Sequence, residues 1–506
     1  MLQRDPIPTI PLHQWILKDR LNRIYCLFAG VVTILAFIWL KSRYPYPNFL
    51  PDSYSYLEAA FRNRGISMWP IGYSAFLRFF SSITRSDTAL VFVQYALLQV
   101  AILYFVFSIR YLLSPGRWFF GVILVCCLIN PLSLYVSNFI SSDALFATLS
   151  LVWFTQLLWI LYRPGTRLLI LHAFVLFLAF TVRYNALYYP LISMAVIVFT
   201  RMETGKKLLA AGCMLVLLGG FVGVNMDKYR RLTGTPQFSA FGGWQLASNA
   251  LFAYAHARPE DPAQVPLVFR SLHAMVNRHM DSLDRLTTFR PDSKLGVYYL
   301  WDDHAPLKAY LREEWKTEPA TDEYKKWASM GPLYAKYGAW LIRQRPVDFL
   351  KYYIGPNLIN YYVPNSEFMS MYNMGFDTVD NIAMVWFGYP SKKIQYSSAK
   401  ISVAEVYPVL LAVVNLLFLL CFAGYGLLGG FRKSGTYAAA VFRWMMVIWI
   451  ANLVFSVVAS PIVLRYQVFP MLITFVFLML LLEFLTGETR MIHKGQILLP
   501  GQMALK

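Results

Sequence analysis

Continuous apolar runs of about 20 residues dominate the chain, separated by short polar stretches and by one long mixed segment. Runs of this length suit α-helices that cross a hydrocarbon core of about 30 Å. A transmembrane β-barrel would instead show alternating segments of about 10 residues. The sequence therefore predicts an all-α polytopic membrane protein. Ten spans are expected, at 25–40, 88–109, 118–137, 143–162, 168–182, 187–200, 208–226, 404–428, 438–459 and 467–486.

Three of these runs differ from an ordinary internal span. The first, Tyr25–Leu40, follows a basic leader but has no small-residue cleavage site, so we expect a retained anchor and not a removed signal peptide. The fifth and sixth, 168–182 and 187–200, are barely long enough to cross the core. A re-entrant or broken pair is the alternative at that place.

The runs divide the chain into three parts. Residues 1–226 form an N-terminal module with seven spans and a first outer loop at 41–87. Residues 227–403, the central segment, hold 17 of the 27 acidic residues and are expected to be a mostly helical, wet part outside the membrane. Its amphipathic stretch Tyr334–Phe349 suits a helix lying on the membrane surface. Residues 404–506 add three spans and a cytoplasmic tail.

Basic residues set the expected orientation, because cytoplasmic loops are enriched in Lys and Arg. With both termini in the cytoplasm, every short inner loop carries at least two of them. These are Arg110, Arg117, Arg163, Arg167, Arg201, Lys206, Lys207, Arg432, Lys433, Arg490 and Lys494. The first outer loop departs from the rule with Lys41, Arg43, Arg62, Arg64, Arg78 and Arg85. We interpret it as a surface for an anionic lipid or substrate, on the outer side of what we expect to be a bacterial inner membrane.

Composition agrees with a membrane protein. Of 506 residues, 57% are hydrophobic and 14% are charged, whereas soluble domains average about 25% charged residues. A soluble enzyme, a disordered regulator and a collagen-like fibre are thereby excluded. The net charge of +19 fits inner loops beside anionic headgroups, and no motif indicates nucleic acid as a partner. The five cysteines show no metal-ligand spacing, so neither a disulfide nor a zinc site is expected.

Charged groups at membrane depth are expensive, and they are functional candidates for that reason. Asp52 follows the first span, where a carboxylate can act as a general base. Asp143 opens the fourth span after a short outer hairpin. Each can instead be the N-cap of the helix that it begins. If the two face each other across one outward pocket, they could bind a divalent metal or divide acid and base roles.

Two arginines stand at the same boundary. Arg183 separates the fifth and sixth runs, and Arg465 precedes the last run with Tyr466 beside it. A guanidinium there can bind a phosphate with two parallel hydrogen bonds. The alternative for each is a side chain that snorkels to the interface.

One acidic-histidine cluster, Asp302-Asp303-His304, is a weak candidate for a metal site in the central segment. The chain contains no Walker A loop, GxGxxG, GxSxG or HExxH motif. Nucleotide-driven chemistry and hydrolase triads therefore have no support in the sequence.

Several of these positions, in this order, resemble the GT-C superfamily of membrane glycosyltransferases, particularly bacterial members akin to protein mannosyltransferases and lipid A aminoarabinose transferases. The matching features are Asp52 with Tyr56 and Pro70-Ile71-Gly72-Tyr73, Asn130-Pro131 with Ser142-Asp143, Arg183-Tyr184, and Arg465-Tyr466 with Pro470. The resemblance covers roughly 20–226 and 404–486. The central segment matches mainly in length and in Arg345-Pro346. Asp143 stands where many relatives have Glu, and Ser53 follows Asp52 where the mannosyltransferases have a second acid.

The resemblance implies an inverting transfer of a sugar from a polyprenyl-phosphate-linked donor to an acceptor hydroxyl of a glycan, lipid or protein. Asp52 and Asp143 would be catalytic, with Asp52 as the general base. Arg183, Arg465, Tyr466 and Tyr56 would hold the lipid phosphate, and Arg62, Arg64 and Tyr73 would line a substrate vestibule. No cofactor is certain, and the need for a divalent Mg or Mn ion stays open at this point. The candidate ligands for such an ion are Asp52, Asp143, Asp302, Asp303 and His304.

Two alternatives stay open at this point. A lipid-linked glycan polymerase or ligase would depend on residues of the central segment rather than on Asp52. A transporter or flippase of an amphiphilic anion would need polar residues inside its spans. The main candidates for such residues are Gln94, Gln99, Gln156 and His172. Charges cluster at the boundaries of the spans, which favours a one-sided active site.

Overall fold

The fold is all-α in the computed structural model, which describes residues 7–256, 264–286, 291, 296–395 and 402–493. Across these ranges the only β-type pairings are isolated bridges. Within the same ranges, eight helices are long and apolar enough to cross a membrane. They are Arg20–Arg43, Asp87–Leu113, Arg117–Ser137, Ser142–Tyr162, Thr204–Thr233, Ala404–Leu427, Thr436–Ala459 and Leu464–Met491. The polytopic helical membrane protein expected from the apolar runs is thus confirmed.

Eleven α-helices begin in the described part of the N-terminal module, residues 7–226. They are α1 (Leu12–Lys18), α2 (Arg20–Arg43), α3 (Pro51–Phe61), α4 (Gly72–Ser81), α5 (Asp87–Leu113), α6 (Arg117–Leu128), α7 (Pro131–Ser137), α8 (Ser142–Tyr162), α9 (Thr166–Val182), α10 (Tyr189–Phe199) and α11 (Thr204–Thr233). A 3₁₀ turn at Tyr184–Tyr188 joins α9 to α10. The third apolar run is broken between α6 and α7, since the ring of Pro131 cannot continue a helix and Asn130 caps α7 by accepting from the Ser133 amide.

The expected count of ten spans is corrected at the fifth and sixth runs. The apolar helices there, Thr166–Val182 and Tyr184–Phe199, are of the shorter class. The 17 residues of α9 extend only about 26 Å, less than a hydrocarbon core. The loop that carries Arg183 therefore falls where two short helices meet. By contrast, the 30 residues of α11 reach about 45 Å, and its last turns meet the central segment.

The central segment folds as helices around its own apolar core. Its α-helices are α12 (Ala240–Tyr254), α13 (Arg270–Leu286), α14 (Tyr298–Trp301), α15 (Pro306–Glu314), α16 (Glu323–Gln344), α17 (Pro346–Phe349), α18 (Gly355–Tyr362) and α19 (Asn381–Phe387). Short 3₁₀ turns lie at Leu267–Phe269, Glu367–Ser370 and Tyr372–Gly375, and a π turn lies at Leu350–Ile354. The C-terminal module has α20 (Ser402–Leu427), α21 (Gly430–Lys433), α22 (Thr436–Ala459), a 3₁₀ turn at Leu464–Gln467 and α23 (Val468–His493). The expected tail after 493 lies outside the described residues.

Two helices of the central segment cross in backbone contact. A Cβ added to Gly243 of α12 would lie 2.0 Å from the carbonyl oxygen of Gly331 in α16, and one added to Gly338 would lie 2.8 Å from the Ala247 nitrogen. Tyr334, Tyr337 and Leu341 are buried in the central-segment core. One apolar face of the stretch Tyr334–Phe349 is therefore covered by protein, while Val347 in the same stretch is exposed. A position of this stretch on the membrane surface stays a prediction.

The loop between α2 and α3 is held from two sides, and this fixes where α3 begins. The Asn48 amide donates to the Asn138 carbonyl (2.8 Å), and the Ile140 amide donates to the Asn48 carbonyl (3.0 Å). On the other side, the Asn373 amide donates to Asn48 Oδ1 (2.9 Å). Asn373 adopts a positive φ of 47°, a conformation that Asn tolerates better than most residues. The starts of α3 and α8 are thereby tied together.

Candidate functional site

Four charged residues from distant parts of the chain meet in one buried cluster. Arg465 reaches Asp52 Oδ2 with Nη1 and Nη2, each at 3.2 Å, and Asp143 Oδ2 with Nη1 at 3.3 Å. Arg183 donates from Nη1 to Asp143 Oδ1. The four side chains are between 2% and 19% exposed. From the sequence we expected all four residues at the boundary of the spans, and in the structure their side chains contact one another.

Neither carboxylate is an N-cap, which corrects that alternative. Helix α3 begins at Pro51, so Asp52 is its second residue, and Ser53 Oγ accepts from the Leu50 amide at 2.8 Å. Asp143 is likewise the second residue of α8, and its Oδ2 accepts from Ser141 Oγ at 2.8 Å. Both carboxylates still lie at helix N-termini, where the helix dipole favours the ionised form. Their remaining partners are guanidinium groups and not backbone amides.

The two arginines are also placed by the fold and do not snorkel to an interface. Arg183 is the residue directly after α9, and the packing there is close: a Cβ on Gly72 would lie 2.6 Å from the Thr181 carbonyl. The turn that carries Arg465 is fixed from the central segment, where the Asn365 carbonyl accepts from the Leu464 amide at 2.9 Å. The positions of both guanidinium groups are therefore set before any ligand binds.

The ring of Tyr466 lies against both guanidinium groups. The Cζ atoms of Arg183 and Arg465 are 4.4 Å and 4.9 Å from its ring centroid. Arg465 Nη2 also lies 3.2 Å from the Tyr466 hydroxyl, to which it donates. The ring stabilises both cations where little water can reach them. Tyr56 is buried nearby and shares a hydrogen bond of 2.9 Å with Ser142 Oγ. Burial raises the pKa of the Tyr56 hydroxyl well above its ordinary value, so this hydroxyl stays neutral.

Glu367 is a fifth charged member that sequence reasoning missed. Its Oε2 lies 3.8 Å from Arg465 Nε, and its side chain is 15% exposed. Burial raises the pKa of the Glu367 carboxyl, an effect that Arg465 opposes and that Asp52 and Asp143 increase. Glu367 has a positive φ of 47°, which is a strained conformation for this residue type. The sequence carries no motif around Glu367, and only the folding of the central segment brings it to the cluster.

A cavity of about 440 Å³ opens at this cluster. One group of lining residues is charged and contains Asp52, Arg183, Glu367 and Arg465. The other is mainly apolar and aromatic and contains Met68, Trp69, Pro70, Phe241, Val297, Leu300 and Trp301. Tyr56 and Tyr466 also line the cavity. Asp143 does not, because it lies behind the arginines with a side chain that is 2% exposed. Asp52 is thus the aspartate of the pair that a ligand in this cavity would meet.

The three residues expected in a vestibule do not line this cavity. Arg62 pairs with the exposed Glu58 at 2.9 Å. Arg64 lies 3.8 Å from Asp322 in the central segment. Tyr73 is fully buried and donates to Gln94 at 2.7 Å. Arg62 and Arg64 thus pair with acids outside the cavity. The same stretch of the first loop contributes Met68, Trp69 and Pro70 to the cavity wall, and the anion-binding surface expected on this loop stays a prediction.

The side chains do not fit a divalent metal ion. Arg465 Nη1 lies within hydrogen-bonding distance of both Asp52 and Asp143, so a guanidinium already takes the position between the two carboxylates. In the central segment, Asp302 accepts from the His304 amide and Asp303 lies 4.0 Å from Arg312. Throughout the described part of the chain, no group of three or more His, Cys, Asp or Glu residues is arranged to hold a metal.

The polar residues inside the spans serve packing. Gln94 donates to the carbonyls of Ser137 and Phe139, each at 3.1 Å. His172 bridges Gln156 (3.2 Å) and Ser193 (2.9 Å) with its two ring nitrogens. The Gln99 amide reaches the Leu128 carbonyl at 3.4 Å. These contacts join neighbouring helices to each other.

The chain matches no protein-family model, no curated protein and no solved structure. The side chains of the site themselves indicate its chemistry. These combine a cavity-lining carboxylate with two cations whose positions are fixed by the fold. Such a set can accept a proton and stabilise a nearby oxyanion in the same space.

Proposed function

We propose that this integral membrane protein is a glycosyltransferase. It moves a sugar from a polyprenyl-phosphate-linked donor to an acceptor hydroxyl, with inversion at the anomeric carbon. The observation that carries the proposal is the shared contact of Asp52 with Arg465 in the wall of the 440 Å³ cavity. Such a transfer needs a general base and a cation that binds the leaving oxyanion, and both must contact the same bound substrates.

In the proposed reaction, Asp52 accepts the proton of the acceptor hydroxyl while its oxygen attacks the anomeric carbon. The bond between that carbon and the phosphate oxygen breaks, and both electrons leave with the oxygen. The phosphate is a diester with one negative charge in the donor and becomes a monoester with additional negative charge in the leaving polyprenyl phosphate. Arg183 and Arg465 stabilise this charge at a boundary that little water reaches. The proton passes from Asp52 to the phosphate or to water. No step uses a metal ion, since the acidic residues do not fit one.

In the absence of substrate, the ion pairs of the site hold Asp52, and the donor must displace it from Arg465. Both guanidinium groups already have carboxylate partners, Arg183 with Asp143 and Arg465 with Asp52 and Asp143. A donor phosphate that binds Arg465 competes with Asp52 for the same nitrogens. Its arrival releases Asp52, whose carboxylate is then free to accept a proton. Asp52 thus becomes available as the base only when the donor is bound.

The similarity to the GT-C superfamily supports the proposal, since the residues of its separate motifs lie together in this site. Asp52, Arg183 and Arg465 come from three of those motifs and line the same cavity. Basic residues in the short loops support termini in the cytoplasm and a central segment on the outer side. A bacterial inner membrane is the location that we propose for the protein. The acceptor would then reach the cavity from the outside, as a glycan, lipid or protein.

A lipid-linked glycan polymerase or ligase is the second candidate, and Glu367 is the observation that favours it. Glu367 belongs to the central segment and lines the cavity beside Asp52. A polymerase or ligase would lose activity when Glu367 is replaced and keep it when Asp52 is replaced. The transporter alternative has no comparable support, because the polar residues inside the spans bond to neighbouring helices.

The test is the release of polyprenyl phosphate from a panel of polyprenyl-phosphate sugars by the purified full-length protein in lipid nanodiscs. Pentose, hexose and amino-sugar donors are each offered with and without candidate acceptors. Release from one donor, increased by an acceptor, is the expected result and also identifies the sugar. If no donor releases polyprenyl phosphate with any acceptor, the glycosyltransferase proposal is wrong.

A further inference from the structure

Three aromatic rings from separate elements form one wall of the cavity. Trp69 belongs to the loop between α3 and α4, Phe241 to the first turn of α12, and Trp301 to the end of α14. The Trp69 centroid lies 4.7 Å from that of Phe241 and 6.2 Å from that of Trp301. These three residues, the aromatic wall, are neither fully buried nor fully exposed. Trp301 is in turn supported by Trp327, whose ring is parallel to it at 6.5 Å.

Three polar atoms of cavity-lining side chains are buried without a hydrogen-bond partner among the described residues. They are Trp69 Nε1, Arg465 Nε and Glu367 Oε2. The last two face each other at 3.8 Å, an ion pair that is too long for a hydrogen bond. Two are donors, and the third belongs to a carboxyl whose raised pKa allows it to donate or accept. Buried polar atoms nearly always have a partner, so an unsatisfied set in a cavity points to a ligand that supplies the missing bonds.

The ligand that suits this lining has an apolar face and a rim of hydroxyl groups. A pyranose ring has both: its C–H groups pack on aromatic faces, and its hydroxyls donate and accept at the rim. A polyprenyl chain would pack on the rings but would leave the three polar atoms unsatisfied. A phosphate alone would not need the rings. The requirements of the aromatic wall and of the polar atoms are therefore met together by a sugar.

We propose that the acceptor is a saccharide, and that the aromatic wall binds the sugar ring that carries the attacking hydroxyl. This inference rests on the proposed glycosyltransferase function and narrows its acceptor from glycan, lipid or protein to a sugar ring. The ring centroids of Trp69 and Tyr56 are 6.4 Å apart. Tyr56 is one helical turn from Asp52 on α3. The wall and Asp52 line the same cavity, so in this proposal the attacking hydroxyl of the bound ring faces Asp52 and the donor phosphate binds at Arg183 and Arg465.

The test measures binding of soluble sugars by saturation-transfer NMR, using the full-length protein in nanodiscs. The probes are methyl glucoside, methyl mannoside and methyl N-acetylglucosaminide, with farnesyl phosphate as the probe of the lipid-phosphate side. Trp301→Ala should weaken binding of the preferred sugar by about tenfold, the usual effect of removing one stacking ring. Trp301→Phe should keep most of the affinity. Trp69→Phe keeps a ring but removes the Nε1 donor, so it should lose affinity only for sugars that bond to that donor. Trp118→Ala, at an exposed position on α6, is the control.

The two proposals fail in different ways. If farnesyl phosphate binds and no sugar does, the saccharide inference is wrong while the donor site stands. If Trp301→Ala weakens farnesyl phosphate instead of the sugar, the aromatic wall holds the lipid chain and the inference is again wrong. If sugars bind through the aromatic wall but no donor releases polyprenyl phosphate, the sugar site stands and the glycosyltransferase proposal fails. Equal sugar signals in the wild type, in Trp301→Ala and in Trp301→Phe would also overturn the inference.

Discussion

Arg465 binds Asp52 with both of its terminal nitrogens, each 3.2 Å from the same carboxylate oxygen, across 413 positions of sequence. The same guanidinium contacts Asp143, so its charge is shared between two acids. The Asp52 oxygen that contacts Arg465 is occupied by this ion pair, so it cannot meet an acceptor hydroxyl until the pair opens. The contact therefore couples the availability of the base to whatever else binds Arg465.

The first prediction concerns phosphate binding by Asp52→Asn. Removing the competing carboxylate leaves more of the Arg465 charge available, so farnesyl phosphate should bind about five- to tenfold more tightly than in the wild type. Titration calorimetry of the protein in nanodiscs measures the change. Glu58→Gln is the matched control, since Glu58 is on the same helix but pairs with Arg62 outside the cavity. Weaker binding in Asp52→Asn would mean that Asp52 and the phosphate do not compete.

The second prediction compares the stability of two aspartate variants. Asp143 is 2% exposed and partners both arginines, whereas Asp52 is 19% exposed and lines the cavity. Asp143→Ala should lower the free energy of unfolding by about 3–5 kcal/mol, because it leaves Arg183 buried without a counter-charge. Asp52→Ala should cost less than half as much. Thermal unfolding in detergent compares the stability of the two variants. Equal losses of stability would show that Asp143 is not the structural member of the pair.

The third prediction tests the crossing of α12 and α16, which holds Phe241 in the aromatic wall. Gly243→Ala puts a methyl group where the Gly331 carbonyl lies, so the helices must separate. The expected loss is about 1–3 kcal/mol of stability, as for other overpacked contacts. The neighbouring Gly242→Ala is the control, because nothing lies within 4 Å of its Cβ. Gly242→Ala should be neutral or stabilising, since it adds a better helix former. Similar melting temperatures for both variants would contradict the close crossing.

The fourth prediction is a pH dependence that originates at Glu367. Burial raises the pKa of this carboxyl above its ordinary value of 4.5, so the folded protein holds the proton more tightly than the unfolded chain. The stabilisation is fully present below pH 4.5 and is lost as the pH rises through the raised pKa. Glu367→Gln should remove this part of the slope in melting temperature against pH. An unchanged slope in the variant would place its origin elsewhere.

The sequence located the charged cluster because its members interrupt apolar runs. Asp52, Asp143, Arg183 and Arg465 each stand at the end of a run, where a charge is conspicuous. The alternatives of helix caps and snorkelling side chains consider each residue alone. The stable arrangement is instead a set of ion pairs between helices, and no local pattern encodes those pairs.

The central segment was harder to predict for a physical reason. Glu367 is one of many acids there, and Phe241 and Trp301 are ordinary aromatics until tertiary packing brings them to one cavity. The amphipathic pattern of α16 shows that one face is covered, but not whether lipid or another helix covers it. The structure shows that α12 covers the face of α16 that carries Gly331 and Gly338.

The central claim is that Asp52 is the base for a sugar transfer whose phosphate leaving group binds Arg465. Its most direct test is a single-turnover assay with the donor found in the panel, in which bound donor and released polyprenyl phosphate are measured in the same sample. For Asp52→Asn we predict undiminished donor binding and a release rate lower by about 10²–10⁴-fold, the usual contribution of a general base. Glu58→Gln should release at the wild-type rate. Release by Asp52→Asn at the wild-type rate, with donor bound, would contradict the claim.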